Sequence, residues 1–243
     1  MRILIIGESC LDVFHYGICE RLTPEAPVPV FSSRSVVTNG GMAMNVYNNL
    51  KVFVKRINVH TNSNWESIKK TRFVEEKTNH MFIRLDENDD KYGRIDLNEI
   101  IFSDYDAVVV SDYNKGFLTE NDLEIISKSH NKTFLDTKKI LGDWCKNFTF
   151  IKINGVEYDR TKHLLDDDIR KILIVTQGSK GCFYKDRSFE VPLVEVKDVS
   201  GAGDTFISAF CYKYLLTESV DVSINFANEC ATKVVQKRGV TTL

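Results

Sequence analysis

The chain has almost no net charge and no long basic run: 32 Lys and Arg stand against 34 Asp and Glu, giving −2 at pH 7. A nucleic-acid backbone needs a basic stripe to track it, so nucleic acid is not an expected partner. Long apolar runs are missing as well. The opening stretch RILIIG is far too short to span a bilayer, and it lacks the extended apolar region and small-residue cleavage site of a signal peptide. A cytoplasmic protein with no membrane partner is expected. The six cysteines, Cys10, Cys19, Cys145, Cys182, Cys211 and Cys230, form no CxxC pair. That pattern indicates neither a zinc site nor a redox dithiol, and points to reduced thiols, most of them in the core. With no internal repeat, low-complexity tract or linker, one domain covering 1–243 is expected.

Short runs rich in Val, Ile and Phe alternate with segments of helical period, which implies βαβ units: an α/β fold, a mostly parallel sheet with helices on both faces. The spacing predicts buried strands at Ile3–Ile6, Ala107–Ser111, Thr133–Asp136, Thr149–Ile153 and Ile172–Thr176. Helices are predicted over 219–236, from about Gly203 to Leu216, and from about Gly41, the last with Met42, Val46, Leu50 and Phe53 on one face. Two regions break the alternation. Val13 to Thr38, with Pro24, Pro27 and Pro29, is extended and turn-rich, and Thr71–Glu76 and His80–Asp86 read as a strand pair. Together they suggest a small antiparallel sheet projecting from the main body.

Two phosphate-binding patterns fail on the stretch DVSGAGDTF, 198–206. A Walker A loop needs Lys after its last glycine, where Asp204 stands, and a dinucleotide fingerprint needs a small residue where Phe206 stands. What remains is a loop of small residues opening an amphipathic helix, so backbone N–H groups and the positive end of the helix dipole converge on one point. Asp204 in the first turn has two readings. As a plain dipole partner it contributes roughly 0.3–1 kcal/mol. Beside a bound phosphate it is repulsive, unless it accepts the proton of an attacking hydroxyl.

Other motifs bear on that choice. TNGGMAMN, 38–45, sets two glycines at a helix start with Asn45 four residues past Gly41. KINGVEY, 152–158, puts Asn154 and Glu157 at the end of a buried strand, as caps or as ligand groups. VTQGSKG, 175–181, ends another strand with Thr176, Gly178 and Gly181, a tight turn or a nucleotide edge.

Taken in order, GGMAMN, NGVE, VTQGSKG and DVSGAGDTFISAF resemble the ribokinase-like, or PfkB, family of ATP-dependent sugar kinases. The resemblance runs over nearly the whole chain. Within the family, LDVFHYG, RLTPEAPVPV, FIRLD, VVSDYNKG and KRGVTT are most similar to members that phosphorylate D-glycero-D-manno-heptose 7-phosphate at its anomeric oxygen. The resemblance implies a three-layer α/β/α sandwich with a β-sheet lid, within about 13–38 and 71–86, through which two copies meet as a homodimer. It implies Asp204 as catalytic base and the amides of Gly201, Ala202 and Gly203 as anion hole. Asp12, Gly40, Gly41 and Asn45 would hold sugar hydroxyls. Asn154 and Glu157 would organise Mg²⁺ and phosphate through water, and Thr176, Gly178 and Asn228 would line the ATP cleft. Arg84 and Lys115 either hold a sugar phosphate or are solvated surface charges. A monovalent-cation requirement stays open.

The chain departs from the family by being short. Between the first helix and the returning lid only about Asn58–Lys70 is available, and the stretch from Glu157 to Arg170 is cut down. A nucleotidyltransferase domain often fused to such heptose kinases is not expected within 1–243, so heptose activation would need a separate enzyme for its next step. Alternatives are a kinase of the same family acting on fructose or ribose, and a non-catalytic relative that binds a sugar phosphate or nucleotide. A nicotinamide-dependent oxidoreductase is disfavoured by the failed dinucleotide fingerprint.

Overall fold

A computed structural model of the chain describes residues 1–239 and 242–243; of the KRGVTT stretch, Val240 and Thr241 lie outside the described residues. The chain starts with β1 (Arg2–Gly7), β2 (Ser9–Leu22), β3 (Pro29–Met42), α1 (Ala43–Leu50), β4 (Arg56–His60), β5 (Lys69–Glu75) and β6 (Met81–Glu87). It continues through β7 (Ala107–Asp112), α2 (Glu120–Ser129), β8 (Thr133–Thr137), β9 (Phe150–Asn154), α3 (Gly155–Thr161), α4 (Asp167–Ile172) and β10 (Leu173–Thr176). It closes with β11 (Cys182–Tyr184), β12 (Arg187–Phe189), α5 (Ala202–Thr217) and α6 (Val220–Val235).

An eight-stranded sheet in the order β12-β11-β10-β9-β8-β7-β1-β4 forms the centre. From β10 to β4 its strands are parallel, and only β11 and β12 run antiparallel at one edge. Alternating side chains split each strand between two cores, as a doubly covered sheet requires. Leu4, Ile6, Val108, Val110, Leu135 and Ile151 pack with Leu123 and Ile126 of α2 on one face. On the other, Ile3, Ile5, Val109, Phe134 and Phe150 pack with α1, α5 and α6. The first half of α5, from Asp204 to Cys211, is buried on every side.

The five expected buried strands form, within one residue at most ends. The helix expected from about Gly41 begins instead at Ala43, because Gly40 and Gly41 still pair with β2 as the end of β3. Met42 turns the corner in the left-handed region, at φ 59°. Phe53 falls past the end of α1 and packs from the following turn onto Tyr212, 4.6 Å between ring centroids. The polar stretch after α1 also carries β4, which extends the sheet by pairing with β1.

The second sheet is the expected lid with one correction: its order is β3-β2-β5-β6, and β2 and β5 are parallel, so the sheet is mixed rather than antiparallel. β2 leaves the central sheet through Glu8 and returns as β3 straight into α1, so a side chain at the root of the lid lies beside the edge of the main sheet.

Phe210 of α5 is fully buried and stands edge-on to Phe134 and Phe150, 6.0 and 5.1 Å away. Phe210→Ala should therefore cost about 3–5 kcal/mol of unfolding free energy. Chemical denaturation followed by circular dichroism measures this; an unchanged midpoint would mean that the α5 face of the core is not as packed as described.

Candidate active site

The parallel strands end together, and their C-terminal edge is where such sheets bind ligands. Glu8 follows β1, Tyr113 follows β7, Asp136 lies near the end of β8 and Lys138 follows it, Asn154 ends β9 and Thr176 ends β10. The N-terminus of α5 points into the same edge. Gly201 caps it in the left-handed conformation, φ 81°, with no side chain bonded to the first turn.

Asp204, in the first turn of α5, is 5% exposed. Its two oxygens are held from separate parts of the fold: Asn45 Nδ2 of α1 donates to Oδ2 at 2.7 Å, and the Tyr113 hydroxyl donates to Oδ1 at 3.1 Å. Burial pushes the Asp204 carboxyl up, the Asn45 hydrogen bond pulls it down, and Asp136 raises it again against Lys152 and Tyr113; the balance is a pKa raised to about 6. Such a group is ionised at neutral pH and still basic enough to take a proton. Tyr113, pushed up by burial and by Asp204, stays a donor.

Beneath the loop lies a buried ion pair. Lys152 Nζ is 2.8 Å from Asp136 Oδ2, with 3% and 6% of the side chains exposed. A Cβ on Gly203 would stand 2.6 Å from that ammonium, so a larger residue there would have to push the tip of Lys152 off its ion pair. The Ala202 N–H is directed into the loop, to Val199 O at 3.2 Å.

Two cavities meet at this loop. One is mainly apolar, lined by Thr176, Gly178, Val191, Leu193, Phe206 and Asn228 with Ala202 and Gly203. The other is polar, lined by Asp12, Asn45, Lys70, Arg72, Arg84, Asp86, Asp89, Tyr113, Lys115 and Lys138 with Ser200, Gly201 and Asp204. The α5 terminus is thus the wall between them. Most charges of the polar cavity are matched: Arg72 on Asp12 at 2.6 Å, Arg84 bidentate on Asp86 at 2.7 and 2.8 Å, and Asp89 between Lys70 and Lys115 at 2.6 and 2.5 Å. Burial opposes the Asp89 charge, but Lys115, Lys70 and Tyr92 outweigh it and lower its pKa to about 2.

Each residue that the sequence singled out has a definite place. Asp12, Asn45, Arg84, Lys115, Gly201 and Asp204 line the polar cavity, while Thr176, Gly178, Ala202, Gly203 and Asn228 line the apolar one. Gly40 and Gly41 stand behind the polar cavity: what approaches Gly41 is Asp12, whose carboxylate would collide with a Cβ there. Asn154 and Glu157 form a reciprocal capping box at the start of α3, so the capping reading of these two holds. Glu157 also meets Lys138 Nζ at 2.5 Å. Asn228 Nδ2 donates to Phe189 O at 3.0 Å.

Nine residues of the site escaped the sequence reading: Glu8, Lys70, Arg72, Asp86, Asp89, Tyr113, Asp136, Lys138 and Lys152. The buried Glu8 carboxylate accepts from the backbone N–H of Tyr113 at 2.8 Å and of Lys115 at 3.0 Å, fixing the turn that carries both. Polar residues just past apolar strand runs, such as Asp136 after FL and Tyr113 in SDYNKG, were the available signal. Lys152 was the clearest of these, a lysine inside the buried strand FIKIN, where a charge needs a partner.

The comparisons with known proteins bear on the family and the fold. The sequence model of the family described as pfkB family carbohydrate kinase matches residues 117–243. The bifunctional protein HldE of Helicobacter pylori strain J99 is 30% identical over 98% of this chain, and that of a Nitratiruptor species is 27% identical over 99%. In each case the chain spans 63% of the relative's length. Among solved structures, a ribokinase from Thermotoga maritima superposes with a TM-score of 0.69 at 15% identity, covering 98% of this chain and 94% of that one. The Arabidopsis thaliana ribokinase complexed with ribose and ATP gives 0.66 at 14% identity, with 98% and 93% covered. Among the described residues no helix is long and apolar enough to cross a membrane. With the family model matching more than half of a chain that folds as a ribokinase-like α/β/α sandwich with a small second sheet, the chain belongs to the pfkB family of carbohydrate kinases, phosphotransferases that use ATP.

Proposed function

We propose that the chain transfers the γ-phosphoryl of Mg·ATP to the anomeric hydroxyl of D-glycero-D-manno-heptose 7-phosphate, giving the 1,7-bisphosphate. The observation that carries the reading is Asp204: buried, ionised at neutral pH, held by Asn45 and Tyr113, and set at a helix terminus between an apolar and a polar cavity. ATP takes the apolar cavity, its adenine against the valines and Leu193 and its phosphates toward Gly203. The sugar takes the polar one, with Asp12 and Asn45 facing its hydroxyls. Asp204 accepts the proton of the anomeric hydroxyl, and the amides of Gly201 and Gly203 with the α5 dipole stabilise charge on the transferring group.

The donor set fits a hydrated magnesium ion. Among the described residues no three His, Cys, Asp or Glu side chains form a metal cage. Glu157 instead offers one hard carboxylate, already bonded to Asn154 and Lys138, and Asp136 Oδ1 is a buried acceptor with no hydrogen-bond partner among the described residues, suited to a metal-bound water. When bound, the ion would neutralise phosphate charge, held by the nucleotide and, through water, by Glu157.

A heptose 7-phosphate is supported by the similarity to the HldE proteins and by the cations of the polar cavity. Lys115 and Lys70 grip Asp89 as they would a phosphate, so the 7-phosphate displaces the Asp89 carboxylate, with Arg84 beside it. The lid edges expose Val36 and Val37 on β3 and Met81, Ile83 and Leu85 on β6, apolar surface that supports a homodimer joined through the lid.

Three outcomes are expected. In an assay of ATP consumption across heptose, ribose and fructose phosphates, the heptose 7-phosphate gives the highest kcat/KM, and Lys115→Met raises its KM roughly 10-fold or more without a matching change for the unphosphorylated sugar. A preference for another sugar removes the heptose assignment, and no turnover with any acceptor despite ligand binding removes the kinase reading of the site.

Asp204→Asn should leave nucleotide binding near normal and lower turnover by about 10²–10⁴-fold, and the wild-type rate should decline as pH falls below about 6. Full turnover in that variant removes Asp204 from its role.

The same substitution should stabilise the fold. The native Asp204 pKa, about 6, lies above the ordinary 3.8, so the folded chain holds the proton more tightly and loses stability as pH rises between those values. At pH 7 and above Asp204→Asn should therefore be more stable by on the order of 2 kcal/mol, with the gap closing below about pH 4. Thermal melts at pH 4 and pH 8 read this; equal melting shifts at both would contradict a buried, strained carboxylate.

A further inference from the structure

Lys138 stands where three parts of the site meet. Its Nζ is 2.5 Å from Glu157 Oε1 and 4.0 Å from Asp136 Oδ1, and it lies 5.4 Å from the centroid of the Tyr113 ring, whose hydroxyl bonds Asp204. The same side chain lines the polar cavity beside Ser200, Gly201 and Asp204. The two lysines of this cluster differ in freedom. Lys152 is sealed under Gly203 with 3% of its side chain exposed, whereas Lys138 is 33% exposed at the cavity wall.

The other cations of the cavity are committed at the acceptor end, to Asp12, Asp86 and Asp89. Lys138 alone among the described cavity cations pairs with Glu157, the carboxylate on the nucleotide side. It follows β8 directly, on the flexible stem that lets an ammonium swing several ångströms. If it only neutralised Glu157, nothing would require it to face the cavity of the base.

We propose that Lys138 is a catalytic residue, a mobile cation that leaves Glu157 when Mg·ATP binds and donates to the oxygens of the γ-phosphoryl group as it crosses to the acceptor. The proposal rests on the phosphoryl-transfer reading above. In the step, the acceptor O–H bond breaks and its proton passes to Asp204. The acceptor oxygen bonds the γ-phosphorus, and the bond from that phosphorus to the β–γ bridging oxygen breaks, its electron pair leaving on ADP. Lys138 gives up no proton and supplies charge where the transferring oxygens gather it.

The test is calorimetric titration of wild type, Lys138→Met and Lys138→Arg, each with Mg²⁺, against ADP and against β,γ-imido-ATP. Because only the second ligand has a γ-phosphoryl group, Lys138→Met should weaken imido-ATP by roughly 10- to 100-fold and leave ADP unchanged, and Lys138→Arg should recover most of the loss. The kcat of Lys138→Met should fall about 10²–10³-fold with the acceptor KM unchanged. Equal weakening of both nucleotides would reduce Lys138 to a counter-ion of Glu157 and overturn the proposal, as would unchanged imido-ATP binding. Should Lys138→Met not fold, Lys138→Gln carries the same comparison. The titration contains no sugar, so an error in the acceptor assignment leaves its outcome untouched.

Discussion

Everything at this site depends on keeping one carboxylate charged in a place that resists charge. Asp204 has lost almost all contact with water, which by itself would drive it toward the neutral acid. Asn45, Tyr113, the positive end of α5 and the nearby Lys152 bring it back to an ionised state at neutral pH. No single element supplies these donors. Asn45 arrives on α1, whose start is set by the sharp turn at Met42. Tyr113 arrives on the turn after β7, which the buried Glu8 carboxylate grips by two backbone N–H groups. The order of strands in the sheet, with β7 next to β1, is therefore a condition for the charge state of a residue on α5.

Around Asp204 the charges alternate. Asp136 pairs with Lys152, Glu157 with Lys138, Asp112 with Lys139, and in the lid Asp12 with Arg72. Buried pairs of this kind add little net stability, since desolvation offsets their attraction. Their effect is to fix positions and potentials, because removing one member strands the other. The lid belongs to the same system. Its β5–β6 turn is tied to the main body by Arg238, which donates to the carbonyls of Glu76 and Lys77, and by Asn79, which donates to Lys197 O. Lys197 directly precedes the DVSGAGD loop, so the far end of the lid and that loop share an anchor.

Much of this arrangement was legible in the chain. Buried parallel strands announce themselves as apolar runs, and the loop before α5 has a composition with few other uses. The lid was visible as extended chain, but its mixed pairing was not, because whether β5 lies parallel or antiparallel to β2 depends on where the chain returns after β4. Short helices such as α3 and α4, of seven and six residues, carry too little periodicity to be read. Tyr113, Asp136 and Lys138 lay in plain view as polar residues after strands. Their convergence on Asp204 comes only from strand order, since β7 and β8 lie far before α5 in sequence.

The shortness of the chain can be weighed in the same terms. Of the two stretches read as short, the one between α1 and the returning lid holds β4, the strand at the outer edge of the main sheet, and the one from Glu157 to Arg170 holds the end of α3 and the start of α4. The groups around Asp204 come from the ends of β7, β8 and β9, from α1 and from α5, and all of these lie inward of that edge. Sheet interiors are held on both sides by neighbouring strands and on both faces by helices, so losing material beyond β4 removes cover from β1 and β4 without moving β7 to β10. The polar cavity draws more on the lid, whose root at Asp12 and Lys70 is fixed by pairing between β2, β3 and β5. Shortening at that edge therefore bears on the lid side of the polar cavity more than on the groups that hold Asp204.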